Sequence, residues 1–315
     1  MSATAPAGAR PSQRRLSERA REEIAAFLFI SPWIIGFVVF TAGAMLFSFG
    51  LSFYKADLLT GKKFVGIEHY VDLFTSDRLF VKSLVNTFLY TLGVVPVATV
   101  LSLLVALLLN QGVWFQGIWR TIYYIPSLVS GVAVAILWIW LFAPTEPTKG
   151  LVNQFLSVFG IDPGPGWIYS ETWALPAIMI MSLWGVGQTM LIYLAGLQSV
   201  PTTLYEACSI DGAGPLRRFW HVTIPLITPT IFFNVVINFI GSFQVFTFAL
   251  VATEGGPNNA TLTMVLYLYR KSFEQFHFGL ASAIGWALFA IILILTLLIF
   301  RSSAAWVYYE GELRK

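Results

Sequence analysis

Six long stretches of the chain contain no Asp, Glu, Lys, Arg or His. They are 22 to 31 residues long, and every charged residue of the protein lies in the polar segments around them. A helix needs about 20 apolar residues to cross the hydrocarbon core of a bilayer, so each stretch is long enough. The pattern therefore predicts six transmembrane helices, at residues 24–54, 83–109, 121–143, 172–197, 223–252 and 279–300.

Composition disfavours the other classes of protein. Hydrophobic residues make up 57% of the chain and charged residues only 11%, whereas ordinary soluble domains have about 25% charged residues. A soluble enzyme and a disordered chain both fit this composition poorly. A transmembrane barrel would show alternating strands of about ten residues instead of these long apolar stretches. The net charge of +3 is too small and too scattered to indicate a nucleic-acid partner.

The predicted topology places both ends of the chain in the cytoplasm. Residues 1–23 and 301–315 would be cytoplasmic tails around a membrane domain of residues 24–300. The first apolar stretch is too long for a cleaved signal, whose apolar core has about 7–15 residues. In this orientation the inner loops and tails contain 11 Lys and Arg residues and the outer loops contain 8, a modest excess in the expected direction.

The absence of charge in the predicted spans limits how transport could be driven. Proton-driven carriers place acidic, basic or histidine residues inside the membrane, so a proton relay is excluded, whereas sodium binding by backbone carbonyls stays open. No G-x-x-x-x-G-K-S/T phosphate loop occurs, and no acid, base or metal cluster indicates a membrane-embedded enzyme. We expect the chain to be neither an enzyme nor the holder of a cofactor or metal, and a partner must supply energy.

Residues 198–222, between the fourth and fifth spans, contain the strongest local signals. Thr203 and Glu206 have the spacing of a capping box, in which Thr203 caps a short helix. Gly212 suits a helix end that requires a positive φ, and Pro215 suits the first turn of a second short helix with basic and aromatic residues. The pattern predicts a helix–turn–helix on the cytoplasmic face. The alternative is a plain interfacial loop in which Glu206 only caps its own helix.

The same loop resembles the EAA loop in permease subunits of binding-protein-dependent ABC importers. The resemblance rests on Glu206-Ala207, Asp211-Gly212-Ala213 and Ile224-Pro225, with Cys208 where that family usually has a second Ala. In that family the short helix of the loop docks into a cleft on the cytoplasmic ATPase. The resemblance therefore implies an ATPase-coupling site formed by Thr203, Tyr205, Glu206, Ala207, Asp211, Gly212 and Ala213.

Further motifs extend the resemblance over residues 21–309. They are Phe64-Val-Gly-Ile-Glu-His-Tyr70, Asn86-Thr87, Ala195-Gly-Leu-Gln198, Thr253-Glu-Gly-Gly-Pro257 and Phe278-Gly-Leu-Ala-Ser-Ala283. The family usually has Gly where Glu254 stands. These motifs are similar to those of the first permease in maltose and glycerol-phosphate importers. They imply an all-α membrane protein with the type I ABC importer permease fold, six transmembrane helices and a cytoplasmic coupling helix.

The resemblance also implies partners, a location and a cargo. The partners would be a second homologous permease, a cytoplasmic dimer of ABC ATPase subunits that binds ATP and Mg, and an extracytoplasmic solute-binding protein. The location would be a bacterial or archaeal inner membrane, in contact with lipid. The implied cargo is a sugar or sugar-like solute. Glycerol-phosphate, glycerophosphodiesters or another solute class stay open, and a sodium-coupled carrier working alone is the less favoured alternative.

A neutral, hydroxyl-rich solute needs amides, hydroxyls and flat apolar faces along its route. At about 100° per residue, Asn234 and Asn238 share one stripe of the fifth span, and Trp184 and Gln188 lie one turn apart on the fourth. Hydrogen bonding between helices is the alternative role for such residues. The candidate pathway residues are Trp184, Gln188, Asn234, Asn238, Ser242 and Gln244.

Overall fold

The computed structural model of the protein describes residues 18–57, 61–144, 149–162 and 164–308, and these are mostly helical. Residues 1–17 of the predicted N-terminal tail and 309–315 of the predicted C-terminal tail lie outside the described residues. The chain divides after Gly50 into two compact units, which are described separately. The predicted domain boundaries stay a prediction.

The N-terminal unit is a continuous helix built from the first apolar stretch. α1 (Glu18–Gly36) continues through a π-helical segment (Phe37–Ala42) into α2 (Gly43–Leu51). Residues Arg21–Leu51 are long and apolar enough to cross a membrane. Side chains such as Phe29 and Phe40 are exposed along it. Apolar surface of this extent is stable only when lipid or another subunit covers it.

The second unit begins with a hairpin, in which β1 (Tyr54–Asp57) pairs antiparallel with β2 (Gly61–Phe64). The helices that follow are α3 (Glu68–Thr75), α4 (Arg78–Asn110), α5 (Gln116–Leu128), α6 (Gly131–Leu141), α7 (Leu151–Val158), α8 (Ala174–Leu183), α9 (Gly187–Gln198), α10 (Thr202–Ile210), α11 (Pro215–Arg218), α12 (Ile224–Phe243), α13 (Thr247–Thr253), α14 (Met264–Tyr269) and α15 (Phe278–Trp306). A 3₁₀ turn (Trp167–Tyr169) precedes α8, and π-helical turns follow α11 (Phe219–Thr223) and α14 (Arg270–Glu274).

The second and sixth predicted spans are single helices, and the third and fourth are bent. α4 contains Pro96 without interruption, and α15 continues six residues past the predicted end at residue 300. α5 and α6 meet at 97°, and α8 and α9 meet at 48°. Over the described ranges, four helices can cross a membrane alone, and six spans result when each bent pair counts as one.

The bend between α8 and α9 overturns one prediction about the fourth span. Trp184 ends α8, whereas Gln188 lies in the first turn of α9. The two side chains are therefore not one turn apart on a continuous helix. Residues Trp184-Gly-Val186 separate the helices, and Gly185 and Gly187 favour the break, because glycine loses more backbone entropy in a helix than any other residue.

The fifth predicted span differs from the structure at both ends. α11, the π-helical turn and α12 form one helix over Pro215–Phe243, so the predicted second short helix is wrong as a separate element. Pro215 does occupy the first turn, where its missing N–H has no intrahelical partner to lose. At the other end α12 stops at Phe243 and Gln244 is its C-cap, so residues 247–253 form a separate helix.

α4 is the central helix of the second unit and packs against α8, α9 and α12. Its middle is joined to its neighbours by buried hydroxyl groups. The Tyr90 hydroxyl lies 2.6 Å from the Ser182 hydroxyl, and the Ser242 hydroxyl donates to Thr91 Oγ1 at 3.0 Å. Hydrogen bonds of this kind orient packed helices where few other polar partners exist.

Candidate coupling site and solute pathway

α10 is the short helix that contains most of the candidate ATPase-coupling residues. Its N-cap is Pro201, with φ −60° and ψ 128°, and no side chain caps it. Thr203 lies inside the first turn, so the predicted capping box of Thr203 and Glu206 is wrong. Proline fixes φ near the value that an N-cap residue adopts, and the helix therefore starts earlier than the polar pattern suggested.

The other end of α10 closes around Gly212, which has the predicted positive φ, at +70°. The Ala213 amide donates to the Cys208 carbonyl at 2.9 Å, and the Gly212 amide donates to the Ser209 carbonyl at 3.2 Å. This pair of bonds is a Schellman motif, which satisfies carbonyls that the end of a helix leaves free. The predicted sequence Asp211-Gly212-Ala213 therefore turns the chain from α10 into the helix that starts at Pro215.

Tyr205 attaches α10 to the membrane helices. Its hydroxyl lies 2.9 Å from Thr223 Oγ1, and its ring packs against the buried cluster that includes Leu197 and Ile227. A second connection is made by Arg218, whose Nε donates to the Ala213 carbonyl at 2.7 Å. The first contact joins α10 to the continuous helix that starts at Pro215, and the second joins the turn after α10 to the same helix.

The face of α10 opposite Tyr205 is exposed. At about 100° per residue, Thr203, Ala207 and Ile210 lie about 140–160° around the helix from Tyr205 and Glu206 lies about 100° from it, and all four are exposed. Ile210 is 87% exposed, and our sequence analysis did not select it. The sequence signal for Ile210 was its spacing, because residues three and four positions apart, like Ala207 and Glu206 from Ile210, lie on one side of a helix. An apolar side chain beside these residues suits a surface that another subunit covers.

Two of the candidate pathway residues are buried in this chain. Asn234 Nδ2 donates to the Thr230 carbonyl of its own helix at 3.0 Å. Ser242 is buried against Thr91 of α4. The Asn238 amide nitrogen is also inaccessible, and it has no hydrogen-bond partner among the described residues. A pathway role for these three residues stays a prediction.

The other candidate pathway residues are more accessible. Gln188 and Gln244 are exposed, and Trp184 is half-buried. The Trp184 ring stands edge-on to Trp138 of α6, with ring centroids 5.2 Å apart. Each of these three candidates lies at a helix break, Trp184 and Gln188 between α8 and α9 and Gln244 after α12.

Residues at the helix breaks pack closely against other segments of the second unit. Gly187, at the start of α9, lies so close to Tyr123 of α5 that a Cβ there would overlap the Tyr123 carbonyl oxygen. Gly131, at the start of α6, faces Thr247 at the start of α13, with 3.4 Å from its Cβ position to the Thr247 methyl. Non-helical backbone at membrane depth is tolerated only where protein buries it or where it lines a water-filled cavity. The close contact at Gly187 is burial by protein, and a solute route along the breaks stays a prediction.

Four of the remaining motifs, at residues 64–70, 86–87, 253–257 and 278–283, lie at the ends of the helices remote from α10, whereas Ala195-Gly-Leu-Gln198 ends α9 directly before α10. The His69 ring lies 3.2 Å from the Tyr54 carbonyl, and Gly279 of α15 packs so closely on β1 that a Cβ would overlap the same oxygen. Glu254 has a φ of +48°, a conformation in which glycine has no steric cost. That conformation accounts for the glycine usual at this position. Over the described ranges, no group of three or more His, Cys, Asp or Glu could hold a metal.

Comparison with known proteins gives concordant matches along the chain. Residues 98–309 match the family of binding-protein-dependent transport system inner membrane components. A probable ABC transporter permease, YesP of Bacillus subtilis (strain 168), is 40% identical over 295 residues, with 93% of this chain and 94% of that protein covered. The arabinooligosaccharides transport system permease AraP of the same organism is 32% identical, with 92% and 91% covered.

A relative named for another solute matches at similar identity. The sn-glycerol-3-phosphate transport system permease UgpA of Yersinia enterocolitica is 32% identical, with 88% of this chain and 90% of that protein covered. None of these names describes an enzyme.

Solved structures share the fold. A chain of a bacterial ABC transporter involved in import of the acidic polysaccharide alginate superposes with a TM-score of 0.77 at 26% identity, covering 91% of this chain and 99% of that one. A chain of an alginate ABC transporter crystallised with a periplasmic protein gives a TM-score of 0.79 at 24% identity, covering 92% and 97%. This protein therefore belongs to the family of binding-protein-dependent transport system inner membrane components, with the type I permease fold, and is an ABC transporter permease rather than an enzyme.

Proposed function

We propose that the chain forms, with a second homologous permease, the membrane pathway of an importer for a sugar or sugar-like solute. An extracytoplasmic binding protein delivers the solute, and a separate cytoplasmic ATPase dimer binds ATP and Mg. Relatives named for arabinooligosaccharides and alginate support a carbohydrate cargo. The exposed amides of Gln188 and Gln244 and the half-buried Trp184 offer the hydrogen bonds and flat apolar surface that a sugar needs.

The exposed face of α10 is the observation that supports ATP-driven coupling. Glu206, Ala207 and Ile210 are exposed, while Tyr205 connects the same element to Thr223, directly before α12. ATPase subunits that bind this face in only one conformation would shift the permease between its states, since a ligand moves an equilibrium only through differential binding. Thr203 and the turn at Asp211-Gly212-Ala213 complete the coupling site.

The proposed topology places α10 and both ends of the chain in the cytoplasm. The end of α9 and the start of α12 pack with Tyr205 of α10, and the Tyr308 amide, just after α15, donates to Thr228 Oγ1 of α12 at 2.8 Å. The last described residues of the chain therefore lie at the same end of the helices as α10. Tagging the C-terminus and testing its accessibility in sealed vesicles checks this arrangement.

The charge reversal Glu206→Lys tests the coupling site. In vesicles that contain the assembled importer, we expect solute uptake to fall and ATPase stimulation by the loaded binding protein to be lost. The matched control is Glu171→Lys, the same charge reversal at an exposed residue outside α10, which should leave ATPase stimulation intact. Normal uptake by the Glu206→Lys importer would refute the assignment.

Glycerol-phosphate is the second candidate solute, because a relative named for its transport is 32% identical, as AraP is. A direct comparison separates the two classes. Vesicles that contain the importer and its binding protein would be supplied with labelled neutral oligosaccharide, acidic oligosaccharide or glycerol-phosphate. Uptake of the phosphate ester alone would overturn the carbohydrate proposal.

A further inference from the structure

The loop of residues 254–263, between α13 and α14, is attached to α4 by an asparagine side chain. Asn86 Nδ2 donates to the carbonyl of Asn259 at 2.9 Å and to the carbonyl of Leu262 at 3.0 Å. Both donor hydrogens of the amide are thus used by backbone acceptors far away in the sequence. Asn86 itself is nearly buried, with 8% of its surface exposed, so its bonds are protected from exchange with water.

Neighbouring residues of α4 strengthen the same attachment. One turn before Asn86, Lys82 Nζ donates to the Asn258 carbonyl at 2.7 Å. Beside it, Thr87 Oγ1 accepts the Met264 amide at 3.0 Å. The first turns of α4 therefore hold both the middle of the α13–α14 loop and the start of α14.

The loop has a defined conformation of its own. Positive φ values occur at Glu254, Gly255, Asn258 and Asn259, which turn the backbone carbonyls of Asn258 and Asn259 toward α4. Inside the loop the Thr261 hydroxyl donates to the Gly256 carbonyl at 2.9 Å. A loop with so many fixed backbone groups moves with the element that holds it.

The other end of α4 reaches the surroundings of α10. Ala106 and Leu109 belong to the buried cluster that contains Leu197 and against which the Tyr205 ring packs. α4 has 33 residues, which corresponds to about 50 Å at 1.5 Å per residue. A single helix thus contacts the region of α10 at one end and the α13–α14 loop at the other.

We propose that α4 transmits the nucleotide-dependent state of α10 to the α13–α14 loop, and that Asn86 is the positioning residue that fixes the loop to α4. The proposal rests on the proposed function, in which ATPase subunits act on α10. Coupling of this kind is reciprocal, so an event at the loop alters nucleotide binding by the same factor that nucleotide alters the loop.

The test follows the loop with a single spin label in the assembled importer. Cys208 is the one cysteine of the chain, so Cys208→Ala with Ala260→Cys gives a single labelling site in the loop. A non-hydrolysable ATP analogue with Mg is then added. We expect the nucleotide to change the equilibrium constant between label environments by a certain factor. Asn86→Leu should reduce that factor about tenfold, because it removes two buried hydrogen bonds but keeps the branched shape of the side chain.

The matched control is Tyr90→Phe, one turn further along α4. It removes a buried hydrogen bond to Ser182 that does not involve the loop, and it should leave the nucleotide response of the label unchanged. A general loosening of α4 would reduce the response in both variants, whereas a positioning role reduces it only with Asn86→Leu. Equal responses in all three proteins would overturn the proposal.

A further variant and one reference measurement complete the experiment. If the Asn86→Leu protein does not assemble, Lys82→Met, which removes the bond to the Asn258 carbonyl, decides the question by the same response. If the labelled parent hydrolyses ATP with normal stimulation but its label does not respond, the inference is wrong and the proposed function stands. If the parent importer shows neither ATPase stimulation nor uptake, the proposed function itself fails.

Discussion

The hydroxyl group of Tyr205 lies 2.9 Å from Oγ1 of Thr223, and the pair joins α10 to the helix that enters the membrane. Thr223 is buried, with only 6% of its surface exposed, and Tyr205 is half-buried. Their contact lies on the opposite side of α10 from Ala207 and Ile210. A force applied to the exposed face would therefore be transmitted through the Tyr205 ring and this hydrogen bond.

Removing the tyrosine hydroxyl should weaken coupling while leaving the helix in place. We expect Tyr205→Phe to cost about 1 kcal/mol in the free energy of unfolding, the usual value of one hydrogen bond, and to reduce ATPase stimulation by the binding protein. Stimulated and basal ATPase rates of the reconstituted importer measure the effect.

A double-mutant cycle isolates the contribution of this bond. Thr223→Val removes the other partner, and the double variant should be no worse than either single one, because the two changes break the same interaction. Additive losses in the double variant would show that the Tyr205–Thr223 bond does not couple α10 to α12.

The turn after α10 should depend on Gly212 but not on the neighbouring Gly214. Gly212 has a φ of +70° and Gly214 a φ of −69°, and a Cβ on either would meet open space. Gly212→Ala therefore tests backbone strain alone, with an expected cost of about 1–2 kcal/mol and reduced uptake. Gly214→Ala is the control and should transport normally. Equal uptake by the two variants would contradict the role of the left-handed turn.

The number of spans was predictable because crossing a bilayer is a question of length and composition. The bends were not, since they depend on contacts between distant segments, such as Gly187 of α9 against Tyr123 of α5. The sequence pattern of a charge-free stretch is the same whether its span is one helix, like α15, or two helices bent by 48°, like the α8–α9 pair.

The sequence predicts a residue of the candidate site correctly where a single backbone requirement explains that residue type. Gly212 was identified by its need for a positive φ, which the structure shows. The Thr203 cap failed because Pro201 starts the helix earlier, and two competing start signals cannot be ranked from spacing alone. The carbonyl acceptors of Asn86 were unpredictable, because they lie more than 170 residues away along the chain.

The hydrogen bond from Tyr267 of α14 to Asp77 predicts a response to alkaline pH. Burial, with a further contribution from the Asp77 carboxylate, raises the pKa of Tyr267 well above its usual value of 10.0. The unfolded chain therefore ionises this tyrosine first. The stabilisation that Tyr267 contributes is therefore fully present below about pH 10, and it is lost as the pH rises further.

The thermal midpoint should show this loss in the wild-type protein. Between about pH 9 and pH 11, it should decrease more steeply for the wild-type protein than for Tyr267→Phe, which has no phenol to ionise at that position. Other tyrosines titrate in both proteins, so the difference between the two curves is the quantity to measure. Parallel curves would show that the protonated Tyr267 hydroxyl does not stabilise the fold.

The break between α8 and α9 should require Gly187 but tolerate a side chain at Gly185, two residues earlier. A Cβ at Gly187 would overlap the backbone of Tyr123 and Tyr124, whereas one at Gly185 would lie 3.7 Å from the Ser182 carbonyl, an ordinary contact. Backbone cannot move aside as a side chain can. Gly187→Ala must therefore separate α9 from α5, with an expected cost of about 1–3 kcal/mol.

Thermal unfolding in detergent and solute uptake in vesicles measure the two consequences, and Gly185→Ala should resemble the wild-type protein in both. If the solute route passes the break, uptake by Gly187→Ala should fall more than ATPase activity does, because the change alters the route without touching α10.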